Sequence, residues 1–219
     1  MRKALKPCVA ETIGTFALCF IGAGSICVNA GLVGIALAHG CVLAVMISAL
    51  GHISGGHFNP AVTFGAWVGE KITAPMAGWY VVSQLAGAVV AGVLLRIVLP
   101  EANWRAANLG TPFLAPGISM GTGVVVEMVL TFFLVLVVYG TAIDDRGTWK
   151  AIGGFGIGFT VLCDILMGGP LTGASMNPAR TFGPGLAAGF WDHHLVYWIG
   201  PLLGGGLAGL VYGRFLIKA

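Results

Sequence analysis

His57-Phe-Asn-Pro-Ala-Val-Thr-Phe-Gly65 and Ser175-Met-Asn-Pro-Ala-Arg-Thr-Phe-Gly183 share the string Asn-Pro-Ala-x-Thr-Phe-Gly at a separation of 118 positions. Each copy opens a short apolar piece, about 59–69 and 177–188. Both begin with a helix-start signal: Asn caps the first turn, and Pro fits the first helical position because its missing N–H would have been unpaired anyway. A bilayer core about 30 Å thick takes about 20 apolar residues to cross, so neither piece can span one. Short helices at membrane depth persist only where their ends are buried in protein or line a wet cavity. These two pieces are therefore expected to be re-entrant half-helices.

The composition around them requires a membrane. Only 9% of the residues are charged and 57% are hydrophobic, with a mean hydropathy of +0.93; an average soluble domain carries about 25% charged residues. So few charges cannot cover a soluble surface. The net charge of +3 is too small to argue for nucleic acid, and no basic run or phosphate-cradling loop is present. The 36 glycines sit in apolar stretches, where small residues let helices approach closely. Gly200, Gly204, Gly205, Gly209 and Gly213 read as such a packing stripe. Cys8, Cys19, Cys27, Cys41 and Cys163 have no metal-ligand spacing and read as buried small hydrophobes. No metal or cofactor is expected.

Six longer apolar stretches, near 8–30, 34–53, 77–99, 119–142, 150–168 and 195–217, are expected to span. The first continues well past the apolar core of a secretory signal, about 7–15 residues long, and is read as a retained helix. Glu11 and Glu127 occupy matching places in the first and fourth spans. Each repeat thus holds three spans with a short helix between its second and third. An odd number of spans inverts the second copy in the membrane, and the two half-helices then enter from opposite sides to meet near the midplane. The expected fold is all-α: six transmembrane helices plus two re-entrant half-helices in an inverted repeat. It forms a single domain over residues 1–219, with repeats of about 1–103 and 119–219 joined by an extracellular loop at about 100–118. Arg2, Lys3, Lys6, Lys71, Arg146, Lys150, Arg214 and Lys218 fall on one side and Arg96 and Arg105 on the other, which predicts cytoplasmic termini.

Opposed half-helix N-termini put a positive potential at the membrane centre, each worth roughly half an elementary charge. The amides of Asn59 and Asn177 at those ends can donate to one passing oxygen. Gly55, Gly56 and His57 in one loop, and Gly173 and Ser175 in the other, can turn backbone carbonyls toward the same path. A neutral molecule could exchange its hydrogen bonds for these, while a cation meets both dipoles and loses its hydration.

With both Asn-Pro-Ala turns (Asn59-Pro60-Ala61 and Asn177-Pro178-Ala179), the matched glutamates and Arg180, the chain resembles an aquaporin, a major intrinsic protein, over its whole length. The resemblance implies a homotetramer with one pore per subunit, in contact with lipid and open to water and small neutral solutes. It also implies a selectivity filter at His39, Ile165, Ala174 and Arg180. Bacterial-type strict water channels usually carry Phe and His at the places of His39 and Ile165. Glycerol facilitators usually carry two aromatics and an Asp after the arginine, where this chain has Thr181. His, Ile, a small residue and Arg are similar to the plant tonoplast intrinsic proteins and their ammonia-permeable animal counterparts. The strings Ala36-Leu-Ala-His-Gly40 and Gly51-His-Ile-Ser-Gly-Gly-His-Phe-Asn-Pro60 agree. Some plant members add a filter His from the loop between spans three and four, but this chain has none between Pro100 and Ser119. Ammonia is about as large as water and less polar, so the apolar Ile165 is expected to favour it. The expected cargo is water with ammonia and hydrogen peroxide, with glycerol as the alternative. A bacterial source would imply the inner membrane and a plant source the vacuole.

Other polar residues have two readings. Glu11 and Glu127 are proton relays or, as the family implies, acceptors for the N–H groups of the adjacent pore loops. Asp164 hydrogen-bonds the second pore loop or modulates the filter. His57 is a pH-sensitive gate or a carbonyl-presenting loop residue. His52 belongs to the cytoplasmic mouth; His193 and His194 belong to a loop or interface. An ion-coupled transporter would need charged groups at the midplane, where this chain has neutral amides. An intramembrane enzyme would need a nucleophile–base set or metal ligands. The one suggestive pair, His52 and His57, is split by a glycine-rich turn.

Overall fold

The structure, a computed structural model, describes residues 2–146 and 153–217. Lys150 and Lys218, two of the basic residues counted toward orientation, lie outside the described residues.

Lipid offers the backbone no hydrogen bonds, so apolar chain must satisfy itself as helix. Nine α-helices are described: α1 (Arg2–Cys27), α2 (Gly31–Ser54), α3 (Pro60–Val68), α4 (Ala74–Val98), α5 (Glu101–Ala106), α6 (Met120–Val138), α7 (Gly153–Thr172), α8 (Pro178–Ala188) and α9 (Val196–Leu210). Helices α6 and α9 each run on into a π-helical turn, Tyr139–Ile143 and Val211–Leu216. Six of the helices are long and apolar enough to cross a membrane, at the six expected places. Helices α3 and α8 are the two half-helices. The first span ends at Cys27, short of the expected 30, because Asn29 turns left-handed at φ 55°. The loop at 100–118 contains α5, which apolar periodicity did not reveal; one buried residue, Trp104, holds it to the bundle.

Each half-helix lies against the last span of the other half, α3 on α9 and α8 on α4. Missing side chains permit this approach. A Cβ on Gly65 would stand 2.5 Å from Gly205 O, and one on Gly92 would stand 2.7 Å from Gly183 O. The glycine stripe of the sixth span faces two neighbours: Gly200 and Gly204 meet α6, and Gly205 and Gly209 meet α3. Cys19 and Cys27 are buried, but Cys41 and Cys163 are exposed on the outer surface, where a weakly polar thiol suits lipid as well as core.

On the side of the termini, Arg146 forks onto the Asp144 carboxylate, with Nη2 to Oδ2 at 2.8 Å. That contact holds the carboxyl well below the usual carboxylate range. The Tyr212 hydroxyl also donates to Asp144, and Arg146 donates to Leu216 O. Arg214 donates to Val68 O at the end of α3. The last described turn is thereby tied to a half-helix.

Candidate functional site

The two half-helices start at the same depth, cap to cap. Asn59 Oδ1 accepts from Ala61 N at 2.8 Å, and Asn177 Oδ1 accepts from Ala179 N at 3.0 Å and Arg180 N at 3.2 Å. With both oxygens used as caps, the amide nitrogens face outward. Asn59 Nδ2 donates to Met176 O at 2.8 Å, and Asn177 Nδ2 donates to Phe58 O at 2.9 Å. Each cap therefore holds the opposite pore loop. Among the described residues one N–H of each carboxamide is left over, and both residues line the central cavity.

The loops reach this geometry through left-handed backbone. Gly55, Gly56 and Gly173 have positive φ, as do Phe58 (48°), Ala174 (44°) and Met176 (54°). Such conformations cost a non-glycine residue roughly 1–3 kcal/mol unless its surroundings over-determine it. Buried carboxylates supply that determination here. Glu11 accepts from His57 N at 3.0 Å, Phe58 N at 2.6 Å, Ser54 Oγ at 2.6 Å and Gln84 Nε2 at 2.7 Å. Glu127 accepts from Ser175 N at 2.9 Å, Met176 N at 2.7 Å and Thr172 Oγ1 at 2.7 Å.

The central cavity has a volume of about 30 Å³, and its lining includes His39, Gly56, His57, Asn59, Ile165, Ala174, Ser175, Asn177 and Arg180. Leu18, Val62, Leu134 and Val161 form its apolar wall. On the side opposite the termini a vestibule of about 560 Å³ opens, lined in part by Gly110, Phe113, Gly173, Ile165 and Arg180. Ile165 and Arg180 line both spaces, so the path narrows at them. Arg180 is only 2% exposed. Its Nη1 donates to Gly110 O at 2.9 Å, and Nη2 lies 3.3 Å from His39 Nε2. The Nδ1 of His39 is bound to Ile35 O at 2.9 Å. On the side of the termini a third space, about 360 Å³, is lined by residues including His52, Gly55, Thr141 and Gly153.

Of the other polar residues singled out, His57 Nδ1 meets Thr63 Oγ1 at 3.0 Å and its ring stands edge-on to Tyr80. Asp164 is 6% exposed, and its Oδ2 is buried with no hydrogen-bond partner among the described residues. It is absent from the linings of all three spaces. His194 accepts from Trp198 Nε1 at 3.1 Å and packs edge-on to Trp191. Sequence reading passed over Gln84 and three tyrosines. Tyr80 donates to Ser54 O, Tyr139 to Gly65 O and Tyr197 to Thr172 O, each pinning an end of a helix or half-helix. A glutamine inside an apolar span was a readable signal. Tyrosines were not, because their apolar rings pass for ordinary span residues.

The family model for the Major intrinsic protein matches residues 1–212. The chain belongs to the major intrinsic protein family. Aquaporins of this family are passive membrane channels, not enzymes. The chain is 45% identical to "Aquaporin TIP4-4" of Zea mays, across 98% of this chain and 88% of that protein. It is 46% identical to "Probable aquaporin TIP-type" of Medicago truncatula, again across 98% and 88%. The X-ray structure of the aquaglyceroporin from Plasmodium falciparum superposes with a TM-score of 0.84 at 23% identity, covering 97% of each chain. That likeness is one of fold. A multi-pass membrane channel of this family is thus the setting for the cavities and constriction above.

Proposed function

We propose that this aquaporin conducts water, with ammonia and hydrogen peroxide as further cargo, through the path between Asn59 and Asn177. The observation that carries the reading is the constriction. Ile165 and Ala174 contribute only apolar surface there, and the His39 ring has both nitrogens engaged, one by Ile35 O and one by Arg180. The solute therefore finds its donors mainly on Arg180 and its acceptors on loop carbonyls such as those of Gly56, His57, Gly173 and Ser175. A molecule of the size of water that needs few hydrogen bonds passes such a ring at low cost, since an unmade bond to a buried polar group costs roughly 1–3 kcal/mol. Glycerol, larger and with three hydroxyls, is the second cargo to test. Cations are opposed by the half-helix dipoles and by Arg180.

In this reading residues 1–219 act as one channel domain of two inverted halves, about 1–103 and 119–219, joined by an extracellular segment at about 100–118. Both termini face the cytoplasm. Glu11 and Glu127 hold the pore loops, and four copies assemble with one pore each. Native mass spectrometry should give a species four times the 22.5 kDa chain mass.

The decisive test is stopped-flow permeability of proteoliposomes to water, ammonia, peroxide and glycerol, for the wild type and for His39→Phe combined with Ile165→His. The double variant should lose ammonia permeability relative to water several-fold. An unchanged ratio would sink this account of the filter.

A further inference from the structure

The guanidinium of Arg180 is held at the vestibule wall by a carbonyl, Gly110 O, that sits in an unusual backbone. Asn108, Leu109 and Gly110 have φ of 45°, 55° and 72°, three left-handed residues in succession, whereas non-glycine residues adopt that conformation singly. Something must hold the turn there. Leu109 is 0% exposed and packs with Ala23, Cys27, Leu95, Trp104 and Ala187. The Gly110 Cα rests on Ala23, where a Cβ would stand 2.6 Å from Ala23 O.

Trp104 in α5 is the largest side chain of that cluster and is 7% exposed. Two guanidinium groups stack on it, Arg96 at 5.1 Å and Arg105 at 4.7 Å from the ring centroid. Arg96 at the same time donates to Ala187 O at 2.8 Å, near the far end of α8. Helix α8 carries Arg180 in its first turn. The contacts close a ring: Arg180, along α8 to Ala187, Arg96, Trp104, Leu109, Gly110, and back to Arg180.

We infer that Trp104, clamped by Arg96, is a positioning residue for Arg180 and so helps set solute selectivity from outside the pore. It touches no solute. It keeps the left-handed turn pressed onto the bundle, so that Gly110 O stays where the Arg180 guanidinium needs it. A flat ring that can take a cation on its face is required; an aliphatic side chain of similar bulk would fill the space without holding Arg96.

This inference rests on Arg180 lining the constriction, and a double-mutant cycle separates the two. Proteoliposome permeability to water and to glycerol is measured for the wild type, Trp104→Leu, Trp104→Phe, Arg96→Gln, Arg180→Val, and Trp104→Leu in the Arg180→Val background. The readout is the glycerol-to-water ratio, which does not depend on how much channel folds. Trp104→Leu and Arg96→Gln should each shift the ratio by about twofold or more, the usual scale for indirect coupling, and Trp104→Phe should restore it. In the Arg180→Val background Trp104→Leu should change nothing further. Should Trp104→Leu yield no folded channel, the Arg96→Gln arm, run in both backgrounds, decides. An unchanged ratio in the folded variants, or a shift that persists without Arg180, overturns the inference while Arg180→Val itself moves the ratio. If Arg180→Val leaves the ratio at its wild-type value, the constriction reading falls, and this inference with it.

Discussion

His39 Nε2 and Arg180 Nη2 lie 3.3 Å apart, and that contact sets the proton position on the histidine. A guanidinium donates and never accepts, so Nε2 must be the acceptor. The ring hydrogen then sits on Nδ1 and goes to Ile35 O, 2.9 Å away. His39 is thereby a neutral spacer whose job is to take one arginine N–H and to occupy width.

Removing that ring should open the constriction and release one hold on Arg180. His39→Ala is expected to raise glycerol permeability by roughly tenfold, the usual scale of steric discrimination in a fitted pocket, with a smaller gain for water. Proteoliposome shrinkage under the two gradients checks it. Equal gains for both solutes would mean that the ring does not discriminate by size.

Glu127→Gln should act on folding more than on selectivity. One glutamine oxygen can replace Oε1 or Oε2, but its NH2 then faces a backbone donor, Met176 N or Ser175 N. The loss of a buried acceptor costs roughly 1–3 kcal/mol, and each kcal/mol moves the Tm of a chain this size by about 2–4 °C. Glu11→Gln faces the same conflict at two of its four donors, either Ser54 Oγ and His57 N or Phe58 N and Gln84 Nε2. Thermal unfolding of purified channel measures both, and the solute ratios of what survives should match wild type.

The close helix approaches predict a contrast among glycines. Gly65→Ala and Gly183→Ala each drive a methyl into backbone, at Gly205 and Ala88 respectively. Overpacking costs about 1–3 kcal/mol or more. Gly78→Ala, with nothing within 4 Å of the new Cβ, should be neutral or gain up to about 1 kcal/mol from helix propensity. Yield and Tm of the three variants decide.

Acid should weaken the surface around His194. Burial lowers its pKa below the ordinary histidine value, so the folded chain binds the proton less well than the unfolded one. Stability is then complete above about pH 6.5, the unpaired histidine value, and falls as pH drops below it toward the lowered folded pKa. Protonation also ends the bond from Trp198 Nε1, because both ring nitrogens become donors. Tm measured from pH 7.5 to 5 should fall in wild type and flatten in His194→Gln; parallel profiles would assign the acid loss elsewhere.

The membrane class, six spans and two half-helices were legible because they rest on length and polarity, which lipid reads one residue at a time. Span ends were less legible, as at Asn29, where a left-handed residue stops α1 early. Helix α5 was hidden because its single buried anchor, Trp104, makes no periodic pattern. Asp164 showed the limit most plainly. Its place beside Ile165 suggested the pore loop or the filter, yet helix rotation turns it away from the cavity lining, and its Oδ2 finds no partner among the described residues.

By itself the sequence determined that two Asn-Pro turns cap two short helices inside a membrane bundle, since Asn, Pro and the apolar lengths leave the chain no other satisfied backbone. Only the tertiary structure decided what those caps hold. Asn59 grips the loop carbonyl of Met176 and Asn177 that of Phe58, and Arg180 is aimed between His39 and Gly110. Hydrogen bonds between residues 70 to 141 positions apart are set by how helices pack, and packing follows from complementary surfaces that no local pattern encodes.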